Sequence, residues 1–160
     1  MTRTRPLTLI LFAVLGGAAT WLIEVALISG GRPAVVPPVT LALTLGVIGV
    51  LDIALALPIR RAVRDRTKPR VDPFYATRVV MLAKASSLSG ALLGGGSLGI
   101  TAYLLSRSVV PGVGSVGLAL AAAIGAIVLL VCGLVAEHMC AIPPDDDDPV
   151  EGRPNPGGLA

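Results

Sequence analysis

This chain of 160 residues is too apolar and too weakly charged to be an ordinary soluble domain. Apolar residues make up 54% of it, charged residues 14% and aromatic residues 3%, which indicates a membrane protein. The formal net charge of +3 is unevenly distributed, because most basic residues crowd into one connector while four consecutive aspartates lie near the C-terminus. This pattern indicates membrane topology and surface contact, and it does not favour nucleic-acid binding.

Four apolar runs follow one another along the chain, at about residues 7–28, 39–59, 79–105 and 113–139. Each approaches or exceeds the ~20 residues that a helix needs to cross ~30 Å of hydrocarbon. We therefore predict an all-α, integral membrane four-helix bundle over residues 1–140. The connectors after the first and third runs are short and contain Gly and Pro, so neither is expected to hold a folded domain.

The first run also permits a second interpretation, a secretory signal peptide. Arg3 and Arg5 precede its apolar core, and small residues occupy positions 16–19, as in cleavable signals. The hydrophobicity nevertheless continues to residue 28, beyond the usual length of such a core. We favour a retained span, with Trp21 drawn toward the outer membrane interface.

The connector at residues 60–78 is strongly basic and predicts the orientation of the chain. By the positive-inside rule, this connector and both termini face the cytoplasm, and Arg32 and Arg107 lie outside. We therefore expect a multi-pass protein of the cell membrane. Cations near an anionic leaflet each contribute about 1 kcal/mol of attraction, so we expect lipid headgroups to bind here, a pure topology signal being the alternative. The residues concerned are Arg60, Arg61, Arg64, Arg66, Lys68 and Arg70.

The last 20 residues, 141–160, combine four aspartates with several Pro and Gly residues. Such a segment is too polar and too rich in helix breakers to fold by itself. We predict a disordered cytoplasmic tail that either folds back on the basic connector or recruits a basic partner.

The third span carries small residues at the four-residue spacing that lets helix backbones approach closely. We favour ordinary packing within one bundle, and a homodimer seam or the lining of a solute path are the alternatives. Because Gly117, Ala121 and Gly125 repeat the pattern in the fourth span, the third and fourth helices are the expected close pair. The two rows on the third span are Ser86, Gly90, Gly94 and Ala83, Ser87, Ala91, Gly95, Gly99.

The helix of the third span should begin outside the bilayer, since Asp72 suits its N-cap and Pro73 its first position.

Four charged residues fall within the predicted spans: Lys84, Asp52, Glu24 and Glu137. A lysine inside the membrane costs roughly 2.5 to 3.5 kcal/mol, so we expect Lys84 to pair with Asp52 or Glu137. Extension of its side chain to lipid phosphate, or a role with a transported ion or substrate, is the alternative. Glu24 lies near the outer end of the first span, and we interpret it as a hydrated acid close to the surface.

The sequence contains no arrangement of residues that indicates catalysis or a cofactor. The glycine clusters lie inside apolar spans rather than after strands, and no Ser/His/Asp or Cys/His set appears. The final Glu137-His-Met-Cys has a single histidine, which cannot assemble the three or four ligands of a metal site. Cys132 and Cys140 do not form a redox or zinc framework. We expect neither an enzyme nor a metal protein.

Several short stretches of the chain form a recognisable set: Arg5-Pro-Leu-Thr, Val71-Asp-Pro-Phe with Arg78, Leu82-Ala-Lys-Ala-Ser, Gly90-Ala-Leu with Gly94, and Glu137-His-Met-Cys. They resemble the actinobacterial membrane proteins grouped as domain of unknown function 3180, in a match that covers all four spans. The lysine-serine core of the third span is the most specific part, whereas Gly95-Gly-Ser replaces the aromatic residues expected after Gly94. The resemblance implies an uncharacterised integral membrane protein and supplies no mechanism.

Two functions remain open at the level of the sequence. The first is a noncatalytic interaction or assembly protein, which presents its basic connector and acidic tail to anionic lipids or to another membrane protein. The second is a small oligomeric transporter of a polar or ionic solute, in which Lys84, Asp52 or Glu24 changes protonation. We favour the first, because four helices with short loops leave little room for a path inside one subunit.

Overall fold

The computed structural model describes residues 5–64, 73–106 and 113–140, which form four α-helices and no strand within these ranges. The helices are α1 (Pro6–Ser29), α2 (Val39–Arg64), α3 (Pro73–Leu105) and α4 (Val113–Cys140). All four are long and apolar enough to span a membrane. The predicted all-α fold with four membrane-spanning helices is therefore confirmed.

The helix boundaries extend the predicted spans mainly at one end. α2 contains Pro58 and continues five residues past the predicted end at residue 59, up to Arg64. α3 begins at Pro73, six residues before its apolar run, as expected for a helix that starts outside the bilayer. The cap expected from Asp72, the residues Arg66, Lys68, Arg70 and Arg107, and the tail at residues 141–160 lie outside the described residues.

Helix α3 lies at the centre of the arrangement. It packs against α1 on one side and α4 on the other, α4 packs in turn against α2, and α2 meets α3 over a smaller area. Among the described helices, α1 packs on α3 alone. The spatial order is therefore α1, α3, α4, α2, an open row rather than a closed square, with α1 parallel to α3 and α2 parallel to α4.

Because α1 and α2 occupy opposite flanks, the connector between them crosses the end of the α3–α4 pair. Ala34 of this connector packs against the buried cluster of Ile100, Leu104 and Ala119. The connector leaves α1 through a turn in which Gly31 has φ +72°, a conformation that glycine adopts without steric cost. We call this end of the molecule the distal end.

At the other end, the core is formed by a cluster from α2, α3 and α4 that includes Ile59, Val79 and Ala136. The Tyr75 hydroxyl donates a hydrogen bond of 3.3 Å to the carbonyl oxygen of Leu55 and links α3 to α2. Arg60, Arg61 and Arg78 are exposed at this level. We call this end the basic end.

Glycines of α3 lie directly against both neighbouring helices. A Cβ atom built on Gly95 would overlap the carbonyl oxygen of Ala13 in α1, and one on Gly99 would approach the carbonyl oxygen of Gly17 to 2.6 Å. On the other side, a Cβ on Gly90 would lie 2.7 Å from the backbone nitrogen of Leu130 in α4. These contacts fit the favoured interpretation of the two rows as packing surfaces within one chain.

The small residues of α4 have different neighbours from those expected. The row of Gly117, Ala121 and Gly125 was expected to face α3, but Gly125 lies against Ala42 of α2. No described atom lies within 4 Å of a Cβ built on Gly117. The predicted close pairing of α3 and α4 is observed, through Gly133, which faces Ala83 and Ser87, together with Gly90 of α3. The row on α4 does not make this pair, because α4 packs on two helices and Gly125 belongs to the seam with α2.

Candidate functional site

Asp52 is a buried charged group on α2. The contacts of residues one turn before and one turn after it show which helices it lies toward. One turn before it, Gly49 faces Cys132 of α4, with a Cβ built there 3.3 Å from the Cys132 Sγ atom. One turn after it, Ala56 belongs to the buried cluster with Ala83 and Ala136. Since residues three and four apart share one helix face, Asp52 lies toward the junction of α2, α3 and α4.

Asp52 is 2% exposed, and neither of its carboxylate oxygens accepts a hydrogen bond from the described residues. Lys84 therefore donates no hydrogen bond to Asp52, and a pairing of the two charges stays a prediction. Lys84 is half-buried on α3, and Glu137 is half-buried on α4. Because Gly133 contacts Ala83 and Ser87, Lys84 and Glu137 lie near the same level of the bundle. Their pairing stays a prediction.

Two buried serines of α3 lie at the level of Asp52. Ser86 is 6% exposed and Ser87 is fully buried. The Ser87 hydroxyl donates a hydrogen bond of 2.9 Å to the carbonyl oxygen of Lys84, one turn earlier in the same helix. The sequence singled out these serines for helix packing, and Ser87 does lie against Gly133 of α4.

Glu24, near the distal end, is a second buried acid, and the prediction made for it is wrong. It was interpreted as a hydrated acid near the surface, but its side chain is 1% exposed. The backbone N–H of Val35 donates a hydrogen bond of 3.0 Å to the Glu24 Oε1 atom. The other oxygen, Oε2, has no hydrogen-bond partner among the described residues. The acid is buried because the connector after α1 folds back over it.

Polar and aromatic contacts close the seam between α1 and α3 next to Glu24. The Thr20 hydroxyl lies 3.0 Å from the carbonyl oxygen of Gly96 in α3, and also within hydrogen-bonding distance of its own helix backbone. Trp21 meets Tyr103 edge to face, with ring centroids 5.4 Å apart. Trp21 therefore contacts a neighbouring helix, in addition to its expected position near the interface.

The basic end presents the arginines on which the lipid prediction depends. Ile59 and Val79 are buried in the same cluster, and the exposed residues Arg60 and Arg78 directly adjoin them in sequence. Arg60, Arg61 and Arg78 are therefore all exposed at the end of the bundle where this cluster lies. α2 ends at Arg64, and the remaining basic residues of the connector lie outside the described residues.

Within the described ranges, no three His, Cys, Asp or Glu side chains lie close enough together to hold a metal ion. Cys132 is half-buried and Cys140 is buried, and both are free thiols.

A family model described as "Protein of unknown function (DUF3180)" matches residues 9–144 of the chain. This match spans all four helices. Searches among curated proteins and among solved structures found no similar protein.

Proposed function

The chain belongs to the DUF3180 family of proteins of unknown function, and we propose that it is a noncatalytic interaction or assembly protein of the cell membrane. In this proposal it binds anionic lipid through the arginines of its basic end, which faces the cytoplasm. The exposed Arg60, Arg61 and Arg78, grouped beside one buried cluster, carry the proposal. The acidic tail is proposed to bind a basic partner or the connector itself.

The grouping of these arginines supports lipid binding for a geometric reason. Arg60 adjoins Ile59 and Arg78 adjoins Val79, two residues of the buried cluster, and Arg61 follows Arg60. Their long side chains can therefore extend from the edge of the hydrocarbon to the phosphate layer. Cations at one end of the bundle attract the headgroups of one leaflet together, because the surface potential falls off within a Debye length.

The close helix seams also support a noncatalytic role. Both sides of α3 lie against backbone atoms of α1 and α4. The rows of small residues on α3 are therefore occupied by helices of the same chain. The alternative function, a small oligomeric transporter, is favoured by a different observation: the carboxylate of Asp52 is buried and accepts no hydrogen bond from the described residues.

The test is the lipid selectivity of the full-length protein in liposomes, measured by electron spin resonance with spin-labelled phosphatidylglycerol and phosphatidylcholine. The variant replaces Arg60, Arg61 and Arg78 by Gln together. Since each cation contributes about 1 kcal/mol, or about fivefold in association, we expect the preference for phosphatidylglycerol to fall at least fivefold. It should also weaken in high salt.

Arg32→Gln is the control, because Arg32 is exposed at the distal end and should leave the selectivity unchanged. Equal selectivity of the triple variant and the wild type would contradict the proposed lipid contact. An equal loss of phosphatidylglycerol preference in Arg32→Gln would show that lipid selectivity depends on net charge and not on the position of the arginines at the basic end.

A further inference from the structure

A polar layer separates two apolar parts of the core where α2, α3 and α4 meet. Toward the basic end lies the cluster that contains Ala56 and Ala83. Toward the middle of the bundle lies a second buried cluster, formed by Leu45, Ala126 and Leu129. Between them lie Asp52, Ser86, Ser87 and Cys132, which we call the Asp52 layer.

The register of the helices brings these residues to one level. α2 and α3 run antiparallel, and Ala56 of α2 and Ala83 of α3 belong to the same cluster. One helical turn away from the basic end, α2 reaches Asp52 and α3 reaches Ser86 and Ser87. From α4, Cys132 faces Gly49, on the same face of α2 as Asp52.

The Asp52 carboxylate is the acidic member of this layer. Both of its oxygens are buried and accept no hydrogen bond from the described residues. An ionised carboxylate without a partner in a low-dielectric interior is very costly, so buried acids either pair with a cation or carry one. On the helices packed against α2, the titratable or charged groups toward the basic end are Tyr75, Arg78 and Lys84 of α3, and Cys132, Glu137, His138 and Cys140 of α4.

We propose that Asp52 is the binding site of a small exchangeable cation, either a proton or an alkali-metal ion. Both neutralise the single negative charge and both are small enough to enter between closely packed helices. The hydroxyl oxygens of Ser86 and Ser87 lie at the same level. They are hard ligands of the kind that alkali-metal ions bind, and they can accept a hydrogen bond from a protonated carboxyl. This site goes beyond lipid binding at the basic end and does not depend on it.

Infrared difference spectroscopy on the full-length protein, labelled with ¹³C at the aspartate carboxyl, tests the proposal. The other aspartates, at positions 65, 72 and 145–148, lie outside the four helices in sequence, so the buried signal is separable. The protein is reconstituted in liposomes and its buffer is exchanged, first in pH and then between sodium, potassium and choline salts. Asp52→Asn, which keeps the size of the side chain, assigns the band.

If the ligand is a proton, a labelled carbonyl band of a neutral acid is present, and it is lost completely in Asp52→Asn. If the ligand is an alkali-metal ion, the labelled carboxylate band shifts when choline replaces sodium or potassium, and this shift is absent in Asp52→Asn. A buried carboxylate band that responds to neither exchange overturns the proposal, since a fixed protein cation would then compensate the charge. Glu24→Gln is the matched control and should leave the Asp52 band in place.

The thiol of Cys132 supplies a second readout that does not require Asp52→Asn to fold. Its S–H stretching band, assigned by Cys132→Ala, reports the charge on the neighbouring acid in the wild type. We expect this band to shift in the same exchange that changes the aspartate band. An S–H band that stays fixed while pH and salt are varied would count against an exchangeable cation.

Discussion

Glu24 links the end of α1 to the connector that follows it. The Val35 N–H donates to its Oε1 atom over 3.0 Å, and Ala34 next to it packs on the distal core. A hydrogen bond of this kind contributes about 0.5–1.5 kcal/mol net, because Val35 is partly exposed and its N–H can turn to water. One side chain at the end of the bundle therefore determines how firmly the connector is held across α3 and α4.

We expect Glu24→Ala to release this connector and Glu24→Gln to retain it, because the glutamine amide oxygen still accepts the hydrogen bond. The free energy of opening at Val35 should fall by about 0.5–1.5 kcal/mol in Glu24→Ala, since its N–H loses this hydrogen bond. Amide hydrogen exchange of residues 33–36 in detergent measures this difference. Equal protection of Val35 in Glu24→Ala and the wild type would contradict the role of Glu24 as an anchor.

At the scale of the elements, α1 depends on α3, the one described helix on which it packs. The seam consists of glycines that allow the two backbones to meet, and a Cβ on Gly95 would overlap the carbonyl oxygen of Ala13. A backbone obstacle cannot rotate away as a flexible side chain can, so the helices must separate to admit even one methyl group.

We expect Gly95→Ala to destabilise the protein by about 1–3 kcal/mol, the usual cost of overpacking a close seam. Gly117→Ala is the matched control on α4, because no described atom lies within 4 Å of its Cβ position. There the better helix propensity of alanine should leave stability unchanged or raise it by up to about 1 kcal/mol. Reversible unfolding with a denaturing detergent compares the two variants, and a stable Gly95→Ala protein would refute the close approach of α1 and α3.

The sequence was sufficient to predict the number of helices and most of their bounds. Runs of apolar residues set the helix lengths, and Pro73 marked the early start of α3. Small residues were less informative about neighbours, because they occur on several faces of α3 and α4. Gly125 could not be assigned to α2 rather than α3 without knowing the order of the helices.

The candidate site was predicted only in part. Asp52 and Lys84 were recognised as intramembrane charges, but similar depth along two helices does not ensure that side chains meet. Rotation about each helix axis decides that, and it places Asp52 toward Cys132 without a hydrogen bond to Lys84. The burial of Glu24 depends on the path of residues 30–38, which the sequence shows only as a Gly- and Pro-containing break.

At the scale of the whole molecule, the open row of helices separates two unlike ends. The connector with Arg32 crosses the distal end, whereas the basic end presents Arg60, Arg61 and Arg78. If the positive-inside rule determines the orientation, the basic end and both termini face the cytoplasm. The Asp52 layer then lies in the cytoplasmic half of the membrane, about 12 Å from Arg60 at the helical rise of 1.5 Å per residue.

Single cysteines at the two ends test this orientation, since Arg32 and Arg61 are both exposed. In a background with Cys132→Ala and Cys140→Ala, a membrane-impermeant maleimide applied to intact cells should label Arg32→Cys. Because the bilayer shields the cytoplasmic face, Arg61→Cys should react only after the membrane is permeabilised. The opposite labelling pattern would reverse the orientation and remove the cytoplasmic leaflet as the lipid surface that the arginines contact. Labelling of both positions in intact cells would show a mixed orientation, which the concentration of basic charge at one end argues against.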